Sequence, residues 1–382
     1  MNEAAGAPRR VLLVVGEASG DLHGAHLVRA MREKDPALEI SAVAGEGLKR
    51  EGVNVVFDVA RIAGMGFTEL AGNLTNLWRA YSLLKRILRE ERPGLLILID
   101  FPDFNMRLAR VAKDLKIPVL YYITPQVWAW RKRRIAKIAR SVDRVAVVFP
   151  FEAPLYERAG VRADFVGHPL LDVAHVTRSR EETLRCLGLD PSRRTIALLP
   201  GSRRREVEFH LTPMLEAASI LGREMPLQFV LVRASTVDRA LLKASLSRAG
   251  AGVSLSDGDT YNVVHASDLV WTASGTATLE TALMLKPMII VYRLARLTYA
   301  LARLLVRVDS IGMANIIAGE KVVPELIQGE MTAERIVAES KTILNDARLR
   351  ERMIAKLTEV RDKLGAPGAA GRVADIALAM MH

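Results

Sequence analysis

Three groups of residues in this chain have the types and spacing to handle a phosphorylated substrate. Ser274-Gly275-Thr276-Ala277-Thr278-Leu279-Glu280 follows the apolar run 268–273 and opens a helix-patterned segment ending near Lys286. Strand, tight turn and helix start, in that order, leave the amides of a first helical turn and the positive end of its dipole free to cradle a phosphate. Gly275 allows the close backbone approach that such a cradle needs. Glu280, four residues past Thr276, lies on the same helix face about 6 Å further along, within reach of ribose hydroxyls beside a diphosphate. The plainer alternative makes Ser274 a helix cap and Glu280 a solvated acid.

The second group is Pro200-Gly201-Ser202-Arg203, between the strand pattern 196–199 and a helical face of Val207, Leu211, Met214, Ala218 and Leu221. Arg203 stands at the helix entrance, where a planar guanidinium pairs well with phosphate. Arg204 and Arg205 read as solvated charge, and the Gly-Lys-Ser/Thr of a triphosphate loop is missing. The third group is acidic. Gly16-Glu17-Ala18-Ser19-Gly20-Asp21 follows the first strand, but its two glycines are four apart with no third at dinucleotide spacing. The run 95–99 delivers Asp100 to the end of a buried strand, where an apolar wall raises a carboxyl pKa toward general-base use. Asp103 reads instead as the cap of a helix over 105–116. Paired metal-binding aspartates and a His/Cys cluster are both missing, so neither metal nor cofactor is expected; His23 and His26 share a helix face as ordinary helix residues.

These groups need strands to carry them. Short β-branched runs alternate with helix-periodic segments throughout, which predicts an α/β protein with parallel sheets flanked by helices. Strands are expected at 11–15, 39–44, 53–57, 95–100, 119–124, 144–149 and 163–167, then at 195–199, 228–233, 253–256, 269–273 and 287–292. Gly167-His168-Pro169 separates the two series. The expected organisation is a doubly wound, Rossmann-like domain over 1–170, a second over 171–365, and a helix over 366–382 returning to the first. Two such domains facing across a cleft would line it with the carboxyl ends of their strands, where ligands of these folds bind.

Composition narrows the partners. A chain of 382 residues, half hydrophobic and a quarter charged, fits two folded domains. Its net charge of +11 favours an anionic partner. The single cysteine, Cys186, excludes an internal disulfide and suits a reducing compartment. Arg9-Arg10 and the apolar 11–15 are too short for a signal peptide, and no run approaches bilayer-spanning length. A cytoplasmic protein with peripheral membrane contact is expected.

Six blocks occur in one order along nearly the whole chain: Gly16-Glu17-Ala18-Ser19-Gly20-Asp21, Ile99-Asp100-Phe101-Pro102-Asp103-Phe104-Asn105, Pro125-Gln126-Val127-Trp128-Ala129-Trp130, Gly167-His168-Pro169, Leu199-Pro200-Gly201-Ser202-Arg203 and Ser274 through Glu280. Together they resemble the lipid-A-disaccharide synthase family, whose GT-B-like architecture would have the two domains face each other. The resemblance implies an inverting transfer from UDP-2,3-diacylglucosamine to 2,3-diacylglucosamine 1-phosphate, giving a β-1,6 disaccharide and UDP. It makes Asp100 the base that deprotonates the acceptor 6-hydroxyl, and places Glu17, Ser19 and Asp21 along the cleft. Ser202, Arg203, Ser274, Gly275, Thr276 and Glu280 would hold the UDP, and Asn315, in Met313-Ala314-Asn315-Ile316, would contact substrate.

Acylated substrates imply an anionic membrane surface as partner, on the cytoplasmic face of the inner membrane, and leave a homodimer open. Two apolar helical stripes could meet that surface: Phe67, Leu70, Leu74, Leu77, Trp78, Tyr81 and Leu84, and Leu294, Leu297, Leu301, Leu304 and Val308 with Arg293, Arg296, Arg303 and Arg307. Trp128 and Trp130 beside Arg131 to Arg134 suggest a nucleic-acid surface, but Lys137 and Arg140 continue the charge at helical spacing, so a solvated helix face is expected and no nucleic acid. A UDP-N-acetylglucosamine 2-epimerase on the same scaffold is the nearer rival, and an RNA-binding protein the further one.

Overall fold

A computed structural model describes residues 9–60, 70–125, 132–249, 252–295, 299 and 310–381. The chain divides into two compact units, Met1–Asp172 with Leu364–His382, and Val173–Lys363.

The first unit holds a seven-stranded sheet of β1 (Arg10–Val15), β2 (Glu39–Ala44), β3 (Asn54–Asp58), β4 (Leu95–Ile99), β5 (Val119–Tyr122), β6 (Arg144–Val147) and β7 (Arg162–Phe165). Its order is β3-β2-β1-β4-β5-β6-β7, with every pair parallel. Parallel sheets are covered on both faces, so their central strands are continuously apolar rather than alternating. Leu95, Leu96, Ile97, Leu98 and Ile99 of β4 are accordingly all fully buried.

The second unit repeats the plan with β8 (Arg194–Leu199), β9 (Leu227–Arg233), β10 (Val253–Asp257), β11 (Leu269–Ala273), β12 (Met288–Tyr292) and β13 (Glu325–Ile327), ordered β10-β9-β8-β11-β12-β13 and again parallel. Both sheets are therefore Rossmann-like and doubly wound, as the sequence predicts. The chain winds outward from β1 and from β8, then reverses at β4 and at β11. Such reversal points open a crevice beyond the strand ends, because the two flanking helices lie on opposite faces of the sheet. Register fixes what lies there: Val15 pairs with Ile99, and Leu199 with Thr272. Asp100 thus emerges beside Gly16, and Ser274-Gly275 beside the turn that begins at Pro200.

Differences from the expected elements have local causes. β5 stops at Tyr122 because Ile123 takes a left-handed conformation, φ 55°. β13 escapes sequence reading because three residues give no periodicity. The helix Pro102–Asp114 starts three residues before the expected 105, with proline in its first turn and Phe101 at its cap. Asp103 therefore does not cap it and instead pairs with Arg134 at 2.6 Å. The terminal helix Ala369–Ala379 packs within the first unit, where Lys34 meets Asp375 at 2.6 Å and Arg372 donates to the Val166 carbonyl at 2.9 Å.

Candidate functional site

In the first unit, Asp100 and Phe101 both hold left-handed backbone, φ 54° and 50°. Each such non-glycine residue costs on the order of 1 kcal/mol or more, and persists only where its surroundings dictate it. Here they do. Asn105 Nδ2 donates to the Asp100 carbonyl at 2.7 Å, and Tyr121 Oη donates to the same oxygen at 2.8 Å. The Phe101 ring stacks on Phe104 with centroids 4.9 Å apart. Gly16 makes room on the other side, since a Cβ there would lie 2.2 Å from the Phe101 ring. Asp100 ends the strand at this bend, with its side chain mostly dry. Burial, then the charge of Glu17, push its pKa up to about 6, against a stabilising bond from the Phe101 amide. Burial likewise raises Tyr121 well above the ordinary phenol range, which keeps it a neutral donor.

Glu17 and Ser19 are exposed at the start of the helix Ala18–Lys34. Asp21 departs from the expected contact with substrate. It is buried, with Oδ1 accepting from the Gly45 and Leu48 amides at 2.7 and 3.2 Å and Oδ2 from the Gly47 amide at 2.6 Å. Three backbone donors occupy the carboxylate, so it fastens the start of the helix Glu46–Arg50 beside the β1 loop.

In the second unit, Gly201 has φ 124° and lies under the Glu206 side chain, whose Oε2 would be 2.6 Å from a Cβ at that position. Glu206 accepts from the Ser202 and Arg203 amides at 3.1 and 3.2 Å, and so shapes the turn. Standing three residues past the cap of the helix Arg204–Glu224, it supplies one half of a capping box; the cap residue, Arg203, has no side-chain acceptor to supply the other. The Arg203 side chain is 74% exposed, and its contact to Glu206 is a long one at 3.4 Å. Beneath the turn, the buried His210 ring joins the Pro200 carbonyl (Nδ1, 2.7 Å) to the Arg293 amide (Nε2, 3.0 Å). An acceptor at Nε2 fixes the neutral tautomer, consistent with a pKa lowered by burial. No short-range pattern announces this bridge, because Arg293 is 83 residues away.

Beyond β11, Ser274 Oγ donates to the Ile311 carbonyl at 3.0 Å rather than capping the following helix. Gly275 occupies that cap with φ 146° and is exposed, as is Thr276, the first residue of the helix Thr276–Leu283. Among the described residues, nothing lies within 4 Å of a Cβ built on Gly275. Among the described residues, no backbone carbonyl accepts from the Gly275, Thr276 or Ala277 amides. Glu280 is half-buried and accepts from Tyr261 Oη at 3.0 Å; burial raises its pKa and that bond opposes the rise. Asn315 also departs from expectation. It is buried, with Nδ2 donating to the Val323 carbonyl and to Glu325 Oε1, and Oδ1 accepting from the Val322 and Val323 amides. Both ends of its amide are taken up by the protein, so it braces the loop before β13.

Within each unit the reversal point thus gathers residues separated widely in sequence: Glu17, Ser19 and Asp100 in the first, Ser202, Arg203, Ser274, Gly275, Thr276 and Glu280 in the second. The block 126–130, with Trp128 and Trp130, lies outside the described residues. So do Phe67 and, of the second apolar stripe, Leu297, Leu301, Leu304, Val308, Arg296, Arg303 and Arg307. No helix among the described residues is long and apolar enough to cross a membrane.

Known proteins agree on both fold and family. Among solved structures, a putative UDP-N-acetylglucosamine 2-epimerase from Listeria monocytogenes superposes with TM-score 0.66 over 96% of this chain and 95% of its own, at 16% identity. The glycotransferase of kitacinnamycin superposes with TM-score 0.62 over 98% and 99%, also at 16% identity. At such identity these show a shared fold alone. Sequence relatives are far nearer: the lipid-A-disaccharide synthases of Syntrophus aciditrophicus (50% identical over 97% of both chains) and Geobacter metallireducens (48% over 98% of this chain and 97% of the other). The lipid-A-disaccharide synthetase family model matches residues 11–368. With that match spanning both sheets and both reversal points, the chain belongs to the lipid-A-disaccharide synthase family of glycosyltransferases.

Proposed function

We propose that this chain transfers the sugar of UDP-2,3-diacylglucosamine to the 6-hydroxyl of 2,3-diacylglucosamine 1-phosphate, with Asp100 as general base. The observation that carries this is a carboxyl at a strand end, mostly dry, with a pKa of about 6. At neutral pH it is largely ionised yet basic enough to accept a proton from an attacking hydroxyl, which is the compromise a general base needs. As the hydroxyl oxygen bonds to the anomeric carbon, the bond from that carbon to the diphosphate breaks on the opposite face and the configuration inverts. The acceptor proton goes to Asp100. Negative charge grows on the departing UDP, where the Gly275 and Thr276 amides, the helix dipole and Arg203 stabilise it. Glu280, steadied by Tyr261, accepts from the ribose hydroxyls; Ser202 and Ser274 shape the two phosphate loops. Glu17 and Ser19 face the acceptor. Asp21 and Asn315 act through the loops that they hold.

The acyl chains require access from a lipid surface on the cytoplasmic face of the inner membrane. Support comes from the helix Leu70–Glu90, which buries Ala80, Leu84, Ile87 and Leu88 but leaves Trp78 69% exposed beside the exposed Arg79. An indole flanked by cations suits an anionic interface. Sedimentation with anionic vesicles at low salt is expected to carry the protein down, and Trp78→Ala to weaken that.

Product analysis tests the transfer. Purified protein given both sugars is expected to release UDP in step with a coupled disaccharide, and to release none without the acceptor. Isomerisation of a UDP-sugar in the absence of acceptor would instead establish the epimerase chemistry of the structural neighbours.

A further inference from the structure

The second unit has a cavity of about 300 Å³ at the opposite end of its sheet from Gly275, lined by Arg194 at the start of β8, Asp268 before β11, Leu285-Lys286-Pro287 before β12, and Arg350. That volume is at the lower end of the roughly 300–1,000 Å³ typical of small-molecule sites. Its charges are unbalanced. Asp268 is the one carboxylate in the lining, and its Oδ2 already accepts from Arg180 Nη2 at 3.0 Å and from the Thr195 amide at 2.8 Å. Arg194 and Arg350 each use one nitrogen, Nη1, on carbonyls at the end of the helix Ala333–Asn345: Arg194 on Leu344 at 3.0 Å, Arg350 on Ile343 at 2.8 Å and on Leu344. Each guanidinium keeps further donors.

Lys286 has least to hold it. Its ammonium is partly buried and, among the described residues, forms no hydrogen bond or ion pair. Burial lowers its pKa, opposed by the charge of Asp268. Pairing Arg180 with Asp268, and crediting the helix-end carbonyls with about half a charge, leaves two to three positive charges around the cavity. A carboxylate ligand would offset one of them, whereas a phosphate monoester carries about −1.5 to −2 at neutral pH. Ser267, whose hydroxyl already donates to the Val263 carbonyl at 2.7 Å, and the apolar Leu285, Pro287, Leu344 and Ile354 complete the wall.

We propose that this cavity binds a small phosphate monoester with a compact apolar body, its head group held by Lys286, Arg194 and Arg350 and its body against Leu344 and Ile354. The site is separate from the UDP loops, which lie past the carboxyl ends of β8 and β11, whereas Arg194 stands at the amino end of β8 and Asp268 and Lys286 precede the amino ends of β11 and β12.

Phenyl phosphate is the probe, titrated calorimetrically into the full chain already saturated with UDP so that the other phosphate site is filled. One equivalent is expected to bind, and phenol not at all. Lys286→Met is expected to weaken binding by about tenfold or more, the worth of a charge-assisted contact. Ile354→Trp is expected to abolish it by filling the apolar end; Ile354 is 37% exposed, so the larger ring has room to fold. Neither substitution is expected to change UDP affinity. Absence of binding in the millimolar range, binding that UDP displaces, or binding unaltered by Ile354→Trp would each overturn the proposal, whether or not Lys286→Met folds.

Discussion

Replacing Asp100 by asparagine is expected to stabilise the protein while removing its turnover. The carboxyl has a folded pKa of about 6 against 3.8 for the free group. The folded state therefore binds this proton more tightly than the unfolded chain does. Below about pH 4 both states are largely protonated and the site is neutral in cost; as pH rises from about 4 through 6, the unfolded chain gives up the proton first and the folded state, which must finally ionise a mostly buried group, loses stability relative to it. About 2 pH units at roughly 1.4 kcal/mol each give a penalty of about 3 kcal/mol, complete above about pH 7. The asparagine side chain would keep an oxygen for the Phe101 amide and carry no charge to desolvate. Urea titrations at pH 8 are thus expected to show Asp100→Asn more stable than wild type by up to about 3 kcal/mol, with the gap closing near pH 4. Turnover at pH 8 is expected to fall by about 10²- to 10⁴-fold, the usual worth of a general base, with UDP affinity unchanged. A variant less stable than wild type at pH 8, or an advantage that does not shrink on acidification, would refute the claim that this carboxylate is held against its preference.

Three further substitutions separate contact from support. Arg203→Ala is expected to raise the Kd for UDP by about tenfold or more, as loss of a charge-assisted phosphate contact does, with a melting temperature close to wild type because the side chain is exposed. Asp21→Ala should cost on the order of 3 kcal/mol in urea, since three amides lose their acceptor, while UDP affinity stays constant; a purely kinetic defect in a fully stable protein would return Asp21 to substrate contact. Gly16→Ala should cost about 1–3 kcal/mol by driving a methyl into the Phe101 ring, and lower kcat along with it, because Phe101 and Asp100 share one bend.

All the strands but β13 were legible, the central ones because parallel sheets bury both faces, so runs such as 95–99 and 288–291 are apolar without interruption. Asp100 stood out for the same reason, as a charge ending such a run, and Gly275-Thr276 as a break between a strand and a helix. Roles that depend on distant partners were not legible. Asp21 and Asn315 look from sequence like polar residues near a site, and only folding brings the 45–48 loop to one and the 322–323 loop to the other. His210 reads as one more residue on a helix until β12 delivers the Arg293 amide to it. Glu206 carried no capping signal either, because Arg203 at the cap is not the serine or threonine with which such a glutamate is paired in sequence.

The most direct test follows the Asp100 carboxyl itself, by carbon-detected NMR on protein labelled at aspartate, beside the pH dependence of kcat/KM. A single resonance titrating at about pH 6, lost in Asp100→Asn, with kcat/KM falling below the same pH, is the predicted result. An Asp100 carboxyl that titrates near the ordinary aspartate value of about 4 while the rate inflects elsewhere would contradict its assignment as the base.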